Sequence, residues 1–255
     1  MIKTINNLVV KNRIFSVTIV AILLSLMMSS CKKDEPNDAT IGKTTAVFNP
    51  GLKYSTMTDQ DGNVYKTIVI GTQTWMAENL RTTKYRDGTS ISNVIDNTAW
   101  INLNTGAYCN YNNTTNADTI ATYGRLYNWY AATNSRNIAP EGWHLPTEAE
   151  WRTLIDYLGN NEVGGKMKET GTTHWLSPNT GATNESGFTA LPSGIRSDFR
   201  ELGKFFAMGK IGYYWSSTPL DTNYYLLPCL SNVDAMVSLT GFYNTDGLSV
   251  RLIKD

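Results

Sequence analysis

Few residues in this chain could carry reaction chemistry. The 255 residues include 2 histidines, His144 and His174, and 3 cysteines, Cys31, Cys109 and Cys229. Two histidines cannot build a three-histidine zinc site, and no H-x-x-x-H spacing occurs. No C-x-x-C pair supports a redox or zinc-knuckle reading, and no G-x-S-x-G elbow is present. Carboxylates are scattered, so a pair for glycoside hydrolysis stays open at this level. Asp221, Asn223, Asn232, Asp234, Asn244 and Asp246 offer oxygen ligands late in the chain, but their spacing is not that of a calcium loop and turn formation explains them equally well. No metal and no cofactor is expected. His144, beside Trp143 at a helix entry, reads as a packed or hydrogen-bonded structural histidine; His174, in Thr172-Thr173-His174-Trp175, reads as exposed. Cys109 and Cys229 could form one disulfide in an exported protein, provided their Cα atoms lie within about 7 Å.

Binding has more material to work with. The chain holds 14 Tyr and 7 Trp. Aromatic faces stack on sugars or on apolar partner groups, while the Tyr hydroxyl and Trp N–H add a polar handle. Trp75, Trp129, Trp143, Trp151 and Trp215 are assigned to the core. Tyr224, Tyr225, Phe242 and Tyr243 are the exposed candidates for ligand contact.

The elements that would position these residues can be read from local signals. Thr147 and Glu150 have the spacing of a capping box, with Pro146 just before the cap. Trp151, Leu154, Ile155 and Leu158 then share one helical face, and Gly159 suits the helix end. This predicts a helix over 148–158. Leu126, Trp129 and Tyr130 predict another at about 124–132. Tyr65 to Ile70 reads as a strand, with Gln73 to Ala77 as its hairpin partner. Gly164-Gly165, Gly171 and Ser177 to Gly187 read as irregular chain. Tyr213 to Ser217, Tyr224 to Leu227, Ala235 to Leu239 and Ser249 to Ile253 read as late strands, with turns at Gly241 and Asp246-Gly247. Helices and strands segregated in this way indicate an α+β domain.

The N-terminus has a separate logic. Lys3, Lys11 and Arg13 precede an apolar run, Ile14 to Met28, of 15 residues. That is short of the about 20 residues a spanning helix needs, and it fits the h-region of a secretory signal. Ser29-Ser30-Cys31 resembles the lipobox of bacterial lipoproteins, in which the cysteine receives lipid and becomes the mature N-terminus. Lys32-Lys33-Asp34-Glu35 resembles the charged signal that sends such proteins to the outer surface in Bacteroidetes-type bacteria. These segments predict a signal peptide at 1–30, a flexible tether at 31–50 and one domain at 51–255. Loss of residues 1–30 leaves 19 basic and 22 acidic side chains, with no basic run for nucleic acid.

Several body segments together resemble a known family. They are Asp61 to Tyr65 with Gly71 to Leu80, Gly124 to Trp129, Gly142 to Thr147, Glu185 to Phe188, Tyr214 to Thr218, and Gly247 to Arg251. The chain resembles the Fibrobacter succinogenes major paralogous domain family of surface and secreted bacterial proteins. Leu145 to Trp151 with the late Gly-x-Ser-Val-Arg also resembles the formylglycine-generating sulfatase-modifying family. That second likeness implies a C-type-lectin-like single domain, with two helices and a late set of short antiparallel strands. It also implies pairing of the first and last strands, Tyr65–Ile70 beside Ser249–Ile253. Relatives commonly carry cysteine where this chain has Ala139 and Leu252. The joint loss implies a bridge in relatives, with apolar packing in its place here.

The resulting expectation is a non-enzymatic, lipid-anchored protein of the outer membrane, exposed on the cell surface. Its partners would be the membrane, through lipid on Cys31, and an extracellular glycan or protein. The alternatives are an enzyme related to the sulfatase-modifying fold, working through Cys229, and a structural envelope protein without a ligand.

Overall fold

The computed structural model describes residues 42–159, 162–197, 202–219 and 224–255. The expected signal peptide and Cys31 lie outside the described residues. In chain order the elements are β1 (Ser55–Thr58), β2 (Val64–Ile70), β3 (Gln73–Met76), β4 (Ser92–Asn93), α1 (Asn97–Ile101), β5 (Ala107–Cys109), α2 (Ala117–Tyr123), β6 (Leu126–Tyr127), α3 (Trp129–Ala132), β7 (Trp143–His144), α4 (Glu148–Leu158) and α5 (Val163–Met167). The later part adds β8 (Ser193–Ser197), β9 (Lys204–Met208), β10 (Ile211–Tyr213), β11 (Tyr224–Ser231), β12 (Val237–Tyr243) and β13 (Ile253–Lys254). They form an α+β fold with two five-stranded sheets, ordered β1-β2-β3-β13-β7 and β12-β11-β10-β8-β9, and a small sheet β4-β5-β6.

The predicted hairpin is present, with Ile68 opposite Trp75 and Ile70 opposite Gln73. The last strand, however, does not lie beside Tyr65–Ile70. β1 takes one edge of β2 and β3 the other, so β13 pairs with β3, placing Ile253 opposite Trp75. The helix over 148–158 also forms as read. Thr147 accepts from Glu150 N–H, Glu150 reaches back to Thr147 N–H, and Trp151 and Leu154 are buried. Such caps contribute about 1 kcal/mol.

The first helix needs correction, and the described residues hold more than the two expected. The stretch 124–132 is broken into β6 and α3, while α2 ends where the expected helix begins. Gly124 stops α2 with φ +74, and a Cβ there would stand 2.5 Å from Asn79 Cβ. Asn128 then caps α3 through Ala131 N–H. Gly164-Gly165, expected in irregular chain, lies in α5 because backbone packs directly on both: a Cβ on Gly165 would meet Gly181 O at 2.1 Å. Gly241 is not a turn but sits inside β12 opposite Leu226; the chain turns after Tyr243, where Asp246 accepts from Tyr243 N–H.

Trp75, Trp143, Trp151 and Trp215 are buried as read, and Trp129 is partly buried. Trp75 and Trp151 stack with centroids 4.6 Å apart, and Phe188 packs edge-on against both. Ala139 and Leu252 are fully buried in one cluster with Trp143, Leu145 and Val250. Apolar packing therefore occupies the place where the resemblance implies a bridge. Cys109 and Cys229, which could have formed one disulfide, are both free. Cys109 is buried beside Trp100 and Leu126, whereas Cys229 contacts the Thr240 hydroxyl across the β11–β12 ladder.

The end of the expected tether is docked. Lys43 N–H donates to Asp118, Thr45 N–H to Thr122, Val47 N–H to Glu169, and Asn49 Nδ2 to Asn184 O. Residues 43–49 thus form a strap whose polar groups find partners on the domain. The structural boundary precedes residue 51, where the composition change suggested it.

Candidate functional site

The most specific sequence segments converge on one buried cation. Arg251 is fully buried. Its Nε donates to Asn79 Oδ1 at 2.6 Å, Nη1 to Met76 O at 2.9 Å and Phe188 O at 2.8 Å, and Nη2 to Thr189 O at 2.9 Å. Its guanidinium also stacks 4.7 Å from the Phe188 centroid and 5.7 Å from that of Tyr214. Burial lowers its pKa to about 10, so the charge persists at neutral pH. Arg196 and Lys168 act alike. Arg196 collects Gly203 O, Val94 O and Ile95 O between the Trp100 and Phe205 rings. Lys168 Nζ donates to Thr180 O, Ser231 O and Asp234 O at 2.7–2.9 Å. These are structural assignments for residues that sequence alone could have suggested as chemical.

Both histidines are engaged. His144 Nδ1 bonds Asp255 at 2.6 Å and Nε2 bonds Glu150 at 2.8 Å, as a structural histidine should. His174 is buried at 9 % exposure, not exposed as read. Its Nδ1 meets the Glu169 carboxylate at 2.7 Å and its Nε2 meets the Thr45 hydroxyl at 2.9 Å. The order carboxylate–imidazole–hydroxyl is that of a hydrolytic triad. Here Thr45 also shares its hydroxyl with Thr122, and Glu169 also accepts from Val47 N–H. The network therefore fastens the 43–49 strap. Neither body thiol is primed for attack: burial raises Cys109 to about 12, and burial also raises Cys229.

The aromatic quartet is brought together only in part. The β11–β12 register sets Tyr224 opposite Tyr243 and Tyr225 opposite Phe242. The side chains of Tyr224 and Tyr225 lie outside the described ones. Phe242 is a correction: it is buried and packs 5.0 Å from Tyr213. Alternation along a strand turns Val237, Leu239 and Tyr243 to the other face, where Leu239 and Tyr243 are each 40 % exposed. On that face a groove of about 200 Å³ runs between α4 and the ribbon, with Trp151, Ile155, Pro228 and Leu239 as apolar walls and Glu148 and Arg152 at the rim.

A second, polar cleft of about 230 Å³ was not anticipated. Asp61 and Asn63 reach it from the β1–β2 turn, Arg81 and Thr83 from the chain after β3, Thr115 and Ile120 from α2 and its approach, and Arg125 from the chain after α2. Burial works against the Asp61 charge, but hydrogen bonds from Thr83 and the Lys84 ammonium outweigh it and hold the carboxyl below its usual range. The available signal is two arginines at recognised segments, Arg81 just after Asn79-Leu80 and Arg125 within Gly124 to Trp129. Among the described residues, no three His, Cys, Asp or Glu side chains gather to hold a metal, and no helix is long and apolar enough to cross a membrane.

A family model described as the Fibrobacter succinogenes major domain matches residues 68–254. The chain belongs to this family. No curated protein and no solved structure matched it. The match takes in Asn79, Phe188, Thr189 and Arg251 and so contains the whole Arg251 cluster. In this Fibrobacter succinogenes major domain the strap at 43–49 and strand β1 precede the matched region. The family description names no activity, so function rests on geometry.

The His144 cluster generates a pH test. Burial opposes the imidazolium, yet the hydrogen bonds it donates to Asp255 and Glu150 outweigh it and raise the pKa above 6.5. A raised folded-state value stabilises fully below the unfolded value and is lost as pH rises through the folded value. Glu150 has the opposite sign. Burial opposes its charge, but bonds from Thr147 and His144 outweigh it and lower its pKa below 4.5, so its contribution is lost as pH falls through the folded value. The urea midpoint should therefore fall as pH rises from 6.5. His144→Asn should flatten that decline; an unchanged decline would remove His144 as its source.

Proposed function

We propose that this chain is a lipid-anchored, surface-exposed binding module of C-type-lectin-like build. It engages glycan or protein ligands through the α4–β12 groove and the adjoining face of the β11–β12 ribbon. The carrying observation is that groove: apolar walls from Trp151, Ile155 and Leu239, a charged rim from Glu148 and Arg152, and exposed Tyr243 on the same strand face as Leu239. An amphipathic floor with a tyrosine beside it suits a sugar face or an apolar side chain. β12 is also an edge strand whose residues 237–243, Val-Ser-Leu-Thr-Gly-Phe-Tyr, carry no charge. Such an edge can receive an extended segment of another chain. The enzyme alternative finds less support, because thiolate chemistry is opposed at both body cysteines and the conspicuous charged residues serve the fold.

The site is tested with Leu239→Ser/Tyr243→Ala in the full chain. Retention on a glycan array or on cells should fall about tenfold or more with the thermal midpoint kept. Unchanged retention would refute this surface, and a wild-type chain retained by neither would favour a purely structural role. Anchoring is tested apart. Cys31→Ala should move the protein from the membrane fraction to the soluble one; continued membrane association would contradict lipidation at Cys31.

A further inference from the structure

The polar cleft beside α2 has the features of a binding site in its own right. Arg81 lines it and is only 8 % exposed. Its Nε donates to Asn63 Oδ1 at 3.3 Å and its Nη2 to Val64 O at 3.2 Å. Its Nη1 is buried and has no hydrogen-bond partner. A buried guanidinium nitrogen left unpaired is costly and needs an explanation, and an anion drawn to this cationic cleft would supply one. The group is also held in place, stacked 4.6 Å from the Tyr65 ring centroid.

Arg125 supplies a second cation to the same cleft. Its Nε donates to Arg81 O at 2.8 Å, its Nη1 to Asn110, and its guanidinium stacks 4.7 Å from the Tyr108 centroid. The two side chains are thus fixed by backbone carbonyls, asparagine side chains and rings rather than by carboxylates. Neither forms an ion pair among the described residues. The neighbouring acids are occupied elsewhere. Asp59 accepts from Asn63 and the Tyr65 hydroxyl, while Asp61 accepts from Thr83 and pairs with Lys84 at 3.1 Å.

We propose that this cleft binds the carboxylate of an acidic sugar unit, a hexuronate, with Arg81 and Arg125 as its anion partners. Guanidinium groups match planar carboxylates, and a charge-assisted hydrogen bond is among the stronger polar contacts. The rest of the lining favours a sugar over an acidic peptide. Asn63, Thr83 and Thr115 offer small polar groups, and Asp61 can accept from a ring hydroxyl while keeping its bonds to Thr83. Ile120 offers an apolar wall for the C–H face of a ring. The cleft volume, about 230 Å³, lies below the about 300–1,000 Å³ of drug-sized pockets, so it accommodates one ring rather than a chain. This site is separate from the ribbon surface and stands or falls independently of it.

The test is calorimetric titration of the full chain with sodium glucuronate, with glucose and N-acetylaspartate as the uncharged-sugar and hydroxyl-free arms. Glucuronate should bind at least tenfold more tightly than either. Arg81→Gln should weaken it about tenfold or more. Should that variant fail to fold, Thr115→Trp fills the cleft from an exposed position and removes none of the Arg81 bonds; it should abolish glucuronate binding with the thermal midpoint retained. Five results would overturn the proposal: no binding of glucuronate, equal binding of glucose, equal binding of N-acetylaspartate, full affinity in a folded Arg81→Gln protein, or full affinity in a folded Thr115→Trp protein.

Discussion

Backbone carbonyls that leave helices and sheets still need donors when they are buried, and this requirement governs the molecule. Most of the chain between 77 and 85 and much of that between 168 and 192 is irregular yet packed inside. Water is not there to satisfy it, and an unpaired buried acceptor costs about 1–3 kcal/mol. The solution is a set of long cationic side chains brought in from elsewhere. Arg251 takes carbonyls from the end of β3 and from the 188–189 loop, Arg196 from the approach to α1, and Lys168 from Thr180, the end of β11 and the link to β12. Each guanidinium also lies over aromatic rings, which replaces part of the lost hydration of the charge. A five-donor fork can serve several acceptors at fixed angles, and this explains arginine at 196 and 251.

What could be read from the sequence follows from how local each signal is. Helix α4 was legible because its cap, apolar face and terminating glycine lie within thirteen residues, Thr147 to Gly159. The β2–β3 hairpin was legible for the same reason. The first helix was misread because apolar spacing at Leu126, Trp129 and Tyr130 mimics a helical face. Its interruption comes from Gly124 against Asn79, a contact across 45 positions. His174 was misplaced because its partners, Glu169 and Thr45, include one 129 residues away. Phe242 was read as exposed because strand alternation shows which residues share a face but not which face meets Tyr213. In the polar cleft, Arg81 and Arg125 are unremarkable in sequence; only the fold brings both to one cleft and leaves Arg81 Nη1 buried without a partner.

The same economy separates scaffold from surface. The resemblance-bearing segments are largely internal: Asn79, Trp75, Trp151, Phe188, Tyr214 and Arg251 form one continuous packed and hydrogen-bonded unit. Most of their chemistry is absorbed by the fold, but a few of their residues also reach the surface sites: Trp151 lines the α4–β12 groove, and Asp61, Asn63 and Arg125 line the cleft beside α2. The docked strap belongs to the same packed unit, since Lys43 to Asn49 bond to Asp118, Thr122, Glu169 and Asn184.

The most direct test of the central claim is urea denaturation of the full chain carrying Arg251→Met, compared with Arg251→Lys. Methionine keeps an apolar stem but strands the carbonyls of Met76, Phe188 and Thr189, so a loss of about 3 kcal/mol or more is expected. Lysine keeps the charge without the planar fork and should lose less. A methionine variant within about 0.5 kcal/mol of wild type, the range of an ordinary surface substitution, would contradict the account.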